Sequence, residues 1–301
     1  MKRQYTWYSI LLGTMILWST SYLVLKVFLF ETHPVTIVLY RFIFAALALA
    51  IILLPQRRWR KKLVLTRRDW WLLIIAGLCD IIIAGLGLTY GVMLAGASLT
   101  ALLLNSNLIF ITLFAFILKL EGLSLTKIVG IVIGLSGIAL VIIKDYSAFD
   151  ATTNQQRLGM ALALVGAMCV AISSLINKSL AKKMSGMQYT FYSIVPAGCL
   201  AVIFALILYP QILMVHSFLE IAGLAYIGIF CTAVTWSITS SSYAVLPAST
   251  TASFKLCIPI FTAILAYSIL GERFTSLVII GMILTISGIF LVTKANKHAT
   301  I

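Results

Sequence analysis

Residues 248–272 read ASTTASFKLCIPIFTAILAYSILGE. The stretch is apolar enough to cross a bilayer, yet it carries Lys255 and ends in Gly271-Glu272. It is also a second copy. A shift of 151 positions lays it on residues 97–121, ASLTALLLNSNLIFITLFAFILKLE. Ala97, Ser98, Thr100, Ala101, Ile109, Phe110, Ala115 and Glu121 recur as Ala248, Ser249, Thr251, Ala252, Ile260, Phe261, Ala266 and Glu272. The match runs on through Gly130 and Gly137, which recur as Gly281 and Gly288. A period of half the chain predicts two copies of one structural unit.

Composition sets the solvent. Of 301 residues 62% are hydrophobic and 10% charged, and the mean hydropathy is +1.10. A soluble domain carries about a quarter charged residues, so most of this surface faces lipid. At about 20 apolar residues per crossing, ten helices fit. The expected helices, 1 to 10 in chain order, cover 7–29, 35–55, 70–94, 97–119, 124–143, 157–180, 188–209, 218–243, 248–270 and 275–294. The net charge of +14 is not a nucleic-acid signature, because the basic residues sit in loops beside apolar spans. The five cysteines form no C-x-x-C pair and no disulfide framework. The first apolar run is too long for a signal-peptide core and is expected to stay as helix 1.

Lys and Arg set the orientation. With the N-terminus in the cytoplasm, sixteen of the 22 basic residues fall at cytoplasmic ends, from Lys2 and Arg3 through Arg57–Arg68 to Lys182, Lys183 and Lys294. Both termini are therefore expected to be cytoplasmic. The expected fold is an all-α membrane protein of ten transmembrane helices in two repeats, residues 7–144 and 157–294. Five crossings per repeat is an odd number, so the second repeat is inverted relative to the first. Two such halves meeting near the midplane suit alternating access, and a secondary transporter is the leading expectation.

Trp18-Ser19-Thr20-Ser21 with Lys26, Leu39-Tyr40-Arg41-Phe42 and the two Ala-Ser…Glu stretches resemble the drug/metabolite transporter superfamily, specifically its ten-helix EamA-type members. The resemblance covers essentially the whole chain. It implies a ten-helix fold and export or uptake of small metabolites such as amino acids; the expectation here is an exporter in the cytoplasmic membrane of a prokaryote. It also implies a central cavity lined largely by helices 3, 4, 8 and 9 and closed at one end by the first helix of each half. Members of the family commonly carry a proline in helices 4 and 9. Here helix 9 has Pro259 and helix 4 has Leu108 at the aligned position, so a hinge is expected in one half only.

Ionisable groups inside a span are costly and are functional candidates. Three stand out: Arg41, Asp80 and Lys255. At a rise of about 1.5 Å per residue, Asp80 lies within about 6 Å of height of both bases, so either is a possible partner. One carboxylate cannot neutralise two bases, and one positive charge is left over. Lys255 either faces the cavity and attracts a carboxylate or phosphate, or snorkels to the headgroups. Asp80 either pairs with Arg41 as a strut or carries a proton for coupling. Gly77, Asp80, Ala84, Gly87 and Gly91 share one small-residue stripe, which turns Asp80 toward protein.

Asn105 and Asn107 lie near the middle of helix 4, where amides need partners. They bond neighbouring helices or a polar solute. Trp18 and Trp236 lie deep and are expected to line the cavity. Tyr90 and Tyr243 lie near helix ends, as interface anchors or as substrate contacts. Glu121 and Glu272 each precede a helix and are read as structural caps of it. The three histidines have no metal-ligand spacing.

The expected partners are a small-molecule solute and the bilayer, with no nucleic acid, no cofactor and no metal; a monomer is plausible. The leading function is transport of small polar, zwitterionic or anionic metabolites, amino acids above all. A lipophilic-cation drug exporter is the alternative within the fold, since Asp80 beside Trp236 suits a cation. A non-transporting scaffold or receptor lacks a substantial soluble region here. No H-E-x-x-H, G-x-S-x-G or P-loop occurs, which argues against an enzyme and against a self-contained ATP-driven pump.

Overall fold

The computed structural model describes residues 2–55, 65–119, 124–147, 154–180, 183–208, 217–242, 254–255, 257–272, 274 and 276–298. Tyr243, Glu121 and the expected opening of helix 9 at 248–253 lie outside the described residues. Among those described there is no strand. Among the described residues ten long helical segments follow one another: α1 Lys2–Val27, α2 Pro34–Leu53, α3 Arg67–Ala95, α4 Ala97–Ile117, α5 Leu125–Ser147, α6 Asn154–Leu180, α7 Gly186–Leu208, α8 Phe218–Ser242, α9 Cys257–Leu270 and α10 Ser276–His298. Among the described residues seven, α1–α4 and α6–α8, are long and apolar enough to cross a membrane, and α5, α9 and α10 hold shorter apolar stretches.

The packing between the halves comes in matched pairs. α1 packs on α9, and α6 on α4; α1 packs on α8, and α6 on α3; α2 packs on α8, and α7 on α3. Adding or subtracting five converts one member of each pair into the other. α5 packs on its own counterpart α10, through glycines: a Cβ on Gly288 would overlap the backbone of Gly130 and Gly134. Small residues let helices approach closely where lipid offers no hydrophobic drive.

Local signals recur at the same offset. α3 opens with a capping box in which the Thr66 side chain accepts from Asp69 N–H and the Asp69 carboxylate accepts from Thr66 N–H. α8 opens with the equivalent box, Ser217 and Glu220. Each satisfies N–H groups that the first helical turn leaves open.

Two expectations need correction. Helix 4 is interrupted at Ser106 although it has no proline there, so irregularity is not confined to the half with Pro259. Asn105 Nδ2 donates to Ala101 O at 2.8 Å, Ser106 Oγ to Leu103 O at 2.5 Å and Asn107 Nδ2 to Leu104 O at 2.7 Å. Side chains that bond their own helix's carbonyls compete with the ladder. Glu272 also caps a different helix from the one that follows it. Its Oε1 accepts from Ala97 N–H at 3.0 Å, and its Oε2 from Ser98 N–H at 3.4 Å and Ser98 Oγ–H at 2.8 Å. The carboxylate thus meets the positive end of α4, in the other half. Gly96 makes the turn at φ 92°, and a Cβ there would press on the Glu272 carboxylate.

Glu272→Ala is expected to cost about 1–2 kcal/mol, as removal of a cap does. For a chain this long that is a fall of roughly 2–6 °C in Tm, measured by intrinsic fluorescence in detergent. An unchanged Tm contradicts the cross-half cap.

Candidate functional site

Asp80 is placed by a local defect. Residues Cys79–Ile83 form one π-turn inside α3, and Ile229–Val234 form another inside α8. The two defects fall at equivalent positions of the repeat. A π-turn rotates the residues it contains relative to the flanking helix and is frequent at functional sites. In α8, Thr232 Oγ1 donates to Ile227 O at 2.8 Å, five residues back. The same oxygen accepts from Arg41 Nε at 2.6 Å.

The three ionisable groups converge on one small cavity of about 70 Å³. Trp18 and Tyr22 of α1 line it, with Arg41 and Phe42 of α2, Asp80, Ala84, Gly85 and Leu88 of α3, and Leu104, Asn105 and Asn107 of α4. Val170 of α6, Trp236 of α8, Lys255 just before α9 and Ile258 of α9 complete the wall. That volume holds a few waters, so a solute enters only when the helices part. A wider depression of about 640 Å³ lies by the end of α1 and the start of α8, lined by Lys26, Val27, Phe28, Phe30, Glu31, Ser217 and Glu220. The convergent charges and amides make the smaller cavity the better candidate site.

Asp80 Oδ2 accepts from Ser173 Oγ–H at 2.5 Å, and Ser173 Oγ lies 3.2 Å from the Tyr189 hydroxyl. No base lies within ion-pair distance of Asp80 among the described residues. The Asp80–Arg41 strut is therefore not seen: Arg41 turns to Thr232 and stacks 5.7 Å from the Phe42 ring. Lys255 shares the cavity with Asp80. It is 8% exposed, and its Nζ sits 5.9 Å above the Trp18 ring, a cation–π contact inside the protein. Trp18 in turn lies 6.4 Å from Trp236.

The amides are not seen bonding a neighbouring helix among the described residues. Each donates to a carbonyl of its own helix, and Tyr22 lines the cavity with them. Asn107 Oδ1 and Trp236 Nε1 are buried with no partner among the described residues. An unmet buried donor or acceptor costs about 1–3 kcal/mol, so a polar solute or water gains by meeting them.

Six expected binding residues thus share the cavity: Lys255, Asn107, Asn105, Asp80, Trp236 and Trp18. Tyr90 is not among the lining residues; it lies farther along α3 toward Gly96, beside Gly159 of α6. The lining also draws on α1, α2 and α6, beyond the four helices the resemblance implies. Tyr22, Ser173 and Thr232 carry contacts that sequence reasoning missed. The alignment holds one weak signal: Thr232 stands where the first half has Ile81, a hydroxyl facing a hydrocarbon. Among the described residues no cluster of His, Cys, Asp or Glu suits a metal.

Two stretches of the chain, residues 5–143 and 157–294, match the EamA-like transporter family. An Archaeoglobus fulgidus protein named an uncharacterized transporter is 24% identical, over 95% of this chain and 96% of its own. A Clostridium kluyveri protein with the same name is 28% identical, over 83% of this chain and 81% of its own. Bacillus subtilis YoaV, also named an uncharacterized transporter, is 23% identical over 94% and 95%. One solved crystal structure superposes with a TM-score of 0.66 over 97% of this chain and 96% of its own, at 16% identity. At that identity the likeness speaks for the fold alone.

Proposed function

The chain belongs to the EamA-like transporter family, and on that premise we propose that it carries small zwitterionic or anionic metabolites, amino acids above all, by alternating access. One observation carries the reading. The cavity wall holds two bases, Arg41 and Lys255, against one acid, Asp80, together with an unmet acceptor on Asn107 and an unmet donor on Trp236. A carboxylate balances the surplus cation. An ammonium group suits Asn107 Oδ1 and the Asp80 side of the cavity.

The basic residues support a cytoplasmic N- and C-terminus in the cytoplasmic membrane of a prokaryote. Export is the leading direction, and uptake is the other direction the resemblance implies. One chain supplies every wall of the cavity, which favours a monomer as the working unit. Asp80 is the candidate for proton coupling, because it is the one carboxyl among the cavity-lining residues and an ionisable group inside a span is a functional candidate. Trp18, Trp236 and Phe42 beside Asp80 also fit a second reading, export of lipophilic cations.

The test is transport in proteoliposomes of labelled neutral and acidic amino acids against cationic dyes, with and without a pH gradient. Amino acids are expected to move and dyes not. The pH-gradient drive is expected to vanish in Asp80→Asn while exchange of solute persists. Unchanged coupling in Asp80→Asn contradicts the proton role, and transport of dyes alone favours the second reading.

A further inference from the structure

The two capping boxes are each held by a residue of the other half, and the holders are equivalent too. Lys183, just past α6, places its Nζ 2.7 Å from both carboxylate oxygens of Asp69. Thr32, just past α1, donates from Oγ1 to Glu220 Oε1 at 2.8 Å. Thr32 and Lys183 are 151 positions apart, as are Thr66 and Ser217, and Asp69 and Glu220. In an inverted repeat equivalent positions lie at opposite faces of the membrane. Each contact therefore ties the start of one cavity-lining helix, α3 or α8, to the helix end of the opposite half, at opposite ends of the molecule.

We propose that these contacts are a reciprocal pair of latches, Lys183–Asp69 closing the basic end and Thr32–Glu220 closing the other. The inference rests on the alternating-access reading above. When the halves rock to open one end, the latch there separates and its counterpart stays made. The latches differ in the residue at the holding position, an ammonium at 183 and a hydroxyl at 32. Asp69 is buried at 4% exposure, whereas Ser217 and Glu220 line the wide depression. The two ends are thus held by different chemistry, an ion pair at one and a hydroxyl–carboxylate hydrogen bond at the other.

The test is hydrogen–deuterium exchange of the full chain in lipid nanodiscs, read at the first turns of α3 and α8. Lys183→Ala is expected to speed exchange at the start of α3 by about two- to five-fold, the span an exposed ion pair supplies, and to slow it at the start of α8. Thr32→Lys places a second ammonium opposite Glu220, strengthens that latch and is expected to act in the same sense, slowing exchange at the start of α8 and speeding it at the start of α3. Changes confined to the mutated end, or none at either end, overturn the proposal. Lys183 is half-exposed but Thr32 is buried, so Thr32→Val, which keeps the side-chain shape and removes only the hydroxyl, is run beside Thr32→Lys and is expected to speed exchange at the start of α8 and slow it at the start of α3. No solute is added, so an error in the substrate class leaves this outcome untouched.

Discussion

Lys255→Met lowers transport of a zwitterionic solute at sub-saturating concentration by about 10- to 100-fold, the factor that a hydrogen bond to a charged group supplies. Met keeps a stem of similar length against the Trp18 ring and removes only the ammonium. Arg41 and Asp80 then balance, and the cavity loses its surplus cation. Lys255→Arg keeps the charge and is expected to retain most activity. The measurement is initial rate in proteoliposomes, corrected for protein incorporated. Wild-type rates in Lys255→Met would mean that the ammonium serves only to pack on Trp18, and the charge argument for the substrate would fail.

Gly288→Leu is expected to cost the most stability of any single change considered. A Cβ there overlaps the backbone of Gly130 and Gly134, so α5 and α10 must separate. Backbone cannot yield as a side-chain tip does. Overpacking costs about 1–3 kcal/mol even where side chains adjust, so a fall of about 5–10 °C in Tm is expected, with reduced yield of monodisperse protein. Gly198→Leu is the control, since nothing lies within 4 Å of a Cβ at Gly198. Equal effects of the two substitutions would mean that the α5–α10 glycines are not a close-packed seam.

Much of this fold is legible from residue pattern, for a physical reason. In lipid every backbone group must be satisfied within its own helix, so apolar runs and breaks translate directly into helices. The offset of 151 positions also carries finer detail than helices. It relates the capping boxes, the π-turns and the seam glycines. What pattern reading misses is azimuth. Depth along a helix places Asp80 level with Arg41, but a π-turn in each of α3 and α8 rotates the residues that matter, and Arg41 bonds Thr232 instead. No single residue announces a π-turn.

The amides of α4 fail for a related reason. Asn105 and Asn107 look like cross-helix donors, yet each turns its NH2 back to its own carbonyls. That self-bonding breaks the helix at Ser106 and leaves one Asn107 oxygen unmet in the cavity. Glu272 reads locally as a cap for its successor, because sequence proximity is all that one chain offers. The turn at Gly96 brings α4 to it from the other half.

The claim that a cavity with one surplus positive charge selects a carboxylate is tested most directly by solute binding to the purified wild-type chain. Thermal stabilisation would be compared between an amino acid and its methyl ester, which keeps the ammonium and side chain but loses the negative charge. The amino acid is expected to raise Tm in a concentration-dependent way, and the ester to leave it unchanged. Equal or greater stabilisation by the ester would contradict the account and point to a cation-binding site centred on Asp80.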